Sequence, residues 1–90
     1  MDIDSKLLLE DTAQEAIAIL IQVAGDYTYR LENLLLSTPE YIQSLSPEQL
    51  EQLVDIQTGY ADLFQEYNFP ELVLASGRVL EILLEKKFEE

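Results

Sequence analysis

The stretch TAQEAIAILIQVAGDYTYRLENLLL, Thr12 to Leu36, decides the fold. At about 100° per residue, Glu15, Gln22, Asp26 and Asn33 share a narrow polar arc, while Ala13, Ile17, Leu20, Ala24, Tyr27, Leu31 and Leu35 lie well away from it. The phase is the same on both sides of Gly25, and a helix broken there would lose register. The spacing therefore predicts one continuous helix, despite a penalty of about 1 kcal/mol for an interior glycine. Thr12-Ala-Gln-Glu15 reads as its capping box, in which the threonine oxygen and the glutamate carboxylate satisfy free amides at a helix start. The apolar arc is unusually wide, which predicts that this helix lies at the centre of the fold.

On the C-terminal side, Ser37-Thr38-Pro39-Glu40 opens a short helix, with proline at the first helical position where its missing amide costs nothing. Ser46-Pro47-Glu48-Gln49 repeats the device with a serine cap and opens a helix to about Tyr67. Asn68-Phe69-Pro70 breaks the chain, and a last helix runs from Pro70 to Lys87, ending on cations that suit the helix dipole. The predicted fold is all-α: a single domain over residues 1–90, a compact bundle of three long helices and one short connecting helix. Residues 1–11 read equally well as a helical turn, a loosely ordered apolar arm or the start of the next helix.

A chain of 90 residues buries only about 60–65% of the surface it exposes when unfolded. Its hydrophobic fraction of 48% exceeds what one three-helix layer hides, so a symmetric homodimer is expected. The chain opens acidic, Met1-Asp2-Ile3-Asp4, where a secretory signal opens basic, and the apolar run Ala16 to Ile21 is far too short for a membrane span. A cytoplasmic protein is expected. Eighteen carboxylates against five basic residues give a net charge of −13, a surface that repels nucleic acid and anionic membranes and suits a basic protein partner.

The sequence holds no histidine and no cysteine, which removes the usual general base, the thiol nucleophile and the usual zinc ligands. The spaced acidic residues of a calcium loop and the glycine-rich phosphate loop are also missing. No catalytic residue, cofactor or metal is expected, and the protein reads as no enzyme. On the third segment Glu48, Glu51, Asp55, Asp62 and Glu66 fall within an arc of about 60°, with no lysine or arginine on that helix. Leu50, Leu53, Val54, Tyr60, Ala61, Phe64 and Tyr67 take the opposite arc. The row is either a solvated outer face or a docking ridge for a basic partner. A second candidate is Leu74, Arg78 and Ile82 on the last helix, where two aliphatics flank a guanidinium that suits an interface; the plain alternative pairs Arg78 with Glu81 or Glu85. Gly25 and Gly77 read as points of close packing between the first and last helices, and Tyr27, Tyr60 and Tyr67 as core residues with a polar tip. Two functions fit: an acidic adaptor or regulator that docks a protein partner, and an immunity-type inhibitor that imitates nucleic-acid charge against a basic site.

Overall fold

The computed structural model describes the backbone of residues 3–88 and the side chains of residues 12–88. Four helices follow in order, α1 (Ile3–Ser37), α2 (Pro39–Gln43), α3 (Pro47–Glu66) and α4 (Pro70–Lys87), with no strand among the described residues. This is the all-α bundle of three long helices and a short connector that the periodicity predicts.

The helix ends trace to local chemistry. At the start of α3 the Gln49 N–H donates to Ser46 Oγ at 3.1 Å and the Ser46 N–H donates to Gln49 Oε1 at 2.9 Å, closing the capping box. Pro39 opens α2 as read, but Thr38 makes no side-chain cap bond, and the Ser37 hydroxyl instead donates to the Asn33 carbonyl within α1. At the end of α3 the Phe69 N–H reaches back to the Phe64 carbonyl at 2.8 Å and the Asn68 N–H to that of Gln65 at 3.3 Å, with Asn68 at φ 67°. That is a Schellman ending built on asparagine, one of the few residues with a side chain that tolerates left-handed backbone.

α1 is unbroken through Gly25, but its start differs from the expectation at Thr12. The backbone is helical from Ile3, so Thr12-Ala-Gln-Glu15 lies inside the helix and not at its start. Residues Asp4 to Asp11 contain no glycine or proline and include Leu7, Leu8, Leu9 and Glu10, all good helix formers, so nothing stops the helix before the box is reached. Of the three readings of the N-terminal residues, the backbone takes the helical continuation from Ile3; Met1 and Asp2 lie outside the described residues.

Gly25 meets Leu72 and Glu32 meets Arg78, so α1 and α4 run parallel, and α3 runs antiparallel to both. The centre belongs to α4. Its Ala75, Ser76, Val79 and Leu83 are fully buried between α3 and α1, whereas Ile19, Leu20 and Val23 of α1 stay exposed, which corrects the expectation of a central first helix. An apolar arc states how much surface a helix must cover, and the short hairpin of α3 and α4 does not cover all of this one. At about 1.5 Å per residue α1 is roughly 52 Å long against roughly 30 and 27 Å for α3 and α4, which stretches the molecule to 59 × 24 × 17 Å.

The interior divides in two. Ile21, Ala24 and Phe64 form one apolar cluster near the α3–α4 turn, and Leu31, Leu35, Leu50, Val79 and Leu83 form another at the α2 end. A polar layer separates them. Gln57 of α3, fully buried, donates from Nε2 to Thr28 Oγ1 of α1 and to Ser76 Oγ of α4, each at 2.9 Å, joining all three long helices. The Thr28 hydroxyl spends its hydrogen on the Ala24 carbonyl at 2.8 Å, so it can only accept from Gln57, and this fixes the orientation of the amide. Gln57 Oε1 is left buried with no partner within the described residues.

Candidate functional site

The capping box of α3 fixes where the helix begins, and burial of its inner residues fixes which face looks outward. With Leu50, Gln57 and Phe64 buried, Glu48, Glu51, Asp55, Asp62 and Glu66 all point to solvent, and Gly59 lies open in the same stripe. Glu48 to Glu66 spans roughly 27 Å along the helix axis. The ion pairs among the described residues are Asp26 with Arg30 and Glu32 with Arg78, so none of the five ridge carboxylates is in one. At the α2 end, Glu51 shares a hollow with Lys86 and Lys87, whose lining also includes Gln43; there Lys86 Nζ donates to Gln43 Oε1 at 3.0 Å. Among the described residues no group of three or more carboxylates converges closely enough to hold a metal ion.

The Leu74, Arg78 and Ile82 patch is divided by the fold. Arg78 turns to α1, its Nε 2.8 Å from Glu32 Oε2, rather than to Glu81 or Glu85. Ile82 packs against the apolar cluster at the α2 end, while Leu74 stays well exposed, at 64%, and Arg78 is exposed beside Glu32. The periodicity of α4 cannot show this pairing, because Glu32 lies 46 residues away on another helix.

Two of the packing expectations need correction. Gly25 does sit against α4, where an added Cβ would lie 3.3 Å from Leu72 Cδ2, but Gly77 has open space around it and packs against nothing. Tyr27 and Tyr60 are half-buried and meet edge to face at 5.4 Å, while Tyr67, at the α3 C-cap, is exposed. The left-handed turn at Asn68 swings Tyr67 and Phe69 towards α1. Together with Leu72 they wall an apolar groove of 680 Å³ whose floor is Ile17, Ile21 and Gly25 of α1. The sequence shows no sign of this groove, because it exists only where the hairpin tip meets the side of α1. Burial of the Tyr27 ring, with Tyr60 and Tyr41 nearby, raises its phenol above the ordinary range, and its hydroxyl finds no partner among the described residues.

No protein-family model, curated protein or solved structure matches this chain. Among the described residues no helix is long and apolar enough to cross a membrane.

Proposed function

We propose that this protein is a non-enzymatic interaction module that docks a basic protein partner through the outer face of α3. The observation that carries the reading is the ridge: five exposed carboxylates in one row, on a helix without a single cation, and unpaired among the described residues. Like charges along one helix face cost a few tenths of a kcal/mol for each neighbouring pair, and a basic partner relieves that cost on docking.

The test replaces Glu51, Asp55, Asp62 and Glu66 by their amides. Relief of repulsion raises the melting temperature at low salt, and the gain shrinks as the Debye length falls from about 30 Å at about 0.01 M to about 8 Å at about 0.15 M. The same variant loses the partners that wild type captures and releases in high salt. Retention of every partner by the amide variant would reduce the ridge to a solubility device.

A further inference from the structure

α1 carries two apolar seams side by side. The first, Ile17, Ile21, Ala24, Thr28, Leu31 and Leu35, faces the hairpin and turns polar at Gln14 and Glu10, beyond the hairpin tip. The second is shifted by one residue: Ala13, Ala16, Leu20, Val23, Tyr27, Arg30 and Leu34, with Leu9 continuing the register in sequence. Its spacing alternates three and four residues, the repeat of a coiled-coil seam, and every position but Arg30 is apolar. Along it Leu20 is 45% and Val23 56% exposed, Ala13, Ala16 and Leu34 are exposed too, and only Tyr27 is half-covered. Ile56 of α3, also exposed and one turn from Tyr60, which meets Tyr27, widens the strip. Residues 16–25 carry no charge in a chain of net charge −13, and eleven of its eighteen carboxylates lie from residue 38 onward.

We propose that a second copy of this chain covers the strip, its α1 antiparallel to the first, with Leu20 of each copy against Val23 of the other. Length selects the partner. The seam from Leu9 to Leu34 runs roughly 38 Å, longer than α3 or α4, and the helix in this chain that matches it is α1 itself. Side-chain volume selects the direction. Antiparallel pairing about the midpoint between Leu20 and Val23 sets Tyr27 against Ala16 and Arg30 against Ala13, each large residue meeting a small one. Parallel pairing would set Arg30 on Arg30 and Tyr27 on Tyr27, with Ala13 and Ala16 facing their own copies across empty space. Charge agrees, because the antiparallel register brings Arg30 to the turn that follows Glu10 and Asp11 in the partner's sequence. The interface is isologous, as a closed two-fold dimer requires, and it leaves the acidic face of α3 open.

Three measurements test this. Wild type at micromolar concentration should weigh twice the 10.3 kDa of one chain; a single-chain mass overturns the proposal. The chain has no cysteine, so engineered thiols report direction without interference. A mixture of Ala13→Cys and Arg30→Cys should form the mixed disulfide, while neither variant should cross-link alone, because like positions lie roughly 26 Å apart along the pair. A disulfide in either variant alone overturns the antiparallel arrangement, and a dimer that gives no mixed disulfide overturns the seam. Finally, Leu20→Glu with Val23→Glu should return the mass to that of one chain without loss of helical signal, both sites being exposed in the single chain; a persistent dimer places the interface elsewhere.

Discussion

The two halves of α1 are built from the same kind of residue and meet different surroundings. From Ile21 to Leu35 every residue on the inward seam is buried, while from Thr12 to Leu20 only Ile17 is even half-covered. Nothing in local propensity separates the halves, and the N-terminal one is the more apolar. The difference lies in the partners. α3 and α4 are little more than half as long as α1, so the hairpin covers one stretch of it and leaves the rest as helix without a core. A wide apolar arc therefore measures the surface that must be covered, and does not place a helix at the centre of its own chain.

Substitutions in the two halves break this comparison if it is wrong. Leu31→Ala should cost about 2–5 kcal/mol, with Phe64→Ala at the upper end, because each empties a packed site. Leu20→Ala, measured in solution dilute enough to hold single chains, should change stability by less than about 0.5 kcal/mol. Urea denaturation reads both. Equal losses would mean that the exposed half is covered within one chain.

The polar layer gives the next effect. Gln57→Ala opens a cavity between the two apolar clusters and removes the donor shared by Thr28 and Ser76, at a cost of about 2–3 kcal/mol. A near-zero loss by the same measurement would show that the unpartnered Oε1 already offsets both hydrogen bonds.

Glycines sharpen the comparison at a smaller scale. Gly77→Ala should raise stability by about 0.5–1 kcal/mol, since the site is helical and open, whereas at Gly25 the Cβ meets Leu72 at 3.3 Å and the gain should be smaller or reversed. Thermal unfolding of the pair separates covered from uncovered helix surface.

The phenol of Tyr27 supplies a pH dependence. Its folded pKa is raised by burial and the neighbouring tyrosines, so the associated stability is fully present below the ordinary tyrosine pKa and is lost as pH rises through the higher folded value. Denaturation midpoints should fall in that alkaline range for wild type and less for Tyr27→Phe, which also removes a buried hydroxyl without a partner among the described residues. Equal falls would assign the loss to other groups.

Most of the secondary structure was legible because it is written in local chemistry. Pro39, the Ser46 capping box, the Asn68-Phe69-Pro70 break and the unbroken phase across Gly25 each act within a turn or two of the chain. The false start at Thr12 shows the limit of such signals, since a capping box acts only where the preceding backbone leaves the helix. The acidic ridge was legible for the same reason, being a property of one helix. The Gln57 layer, the Arg78 to Glu32 pair and the groove beneath Tyr67 and Phe69 were not, because each joins residues from different helices. Gln57 could have drawn notice as the one amide between Leu50 and Phe64 on an otherwise apolar arc of α3.

Native-state amide exchange along α1, followed as a function of protein concentration, tests the central claim most directly. Amides from Ile21 to Leu35 should be protected at every concentration, while those from Thr12 to Leu20 should exchange fast when dilute and gain protection as copies pair. Protection of Thr12 to Leu20 that does not change with concentration would contradict the account.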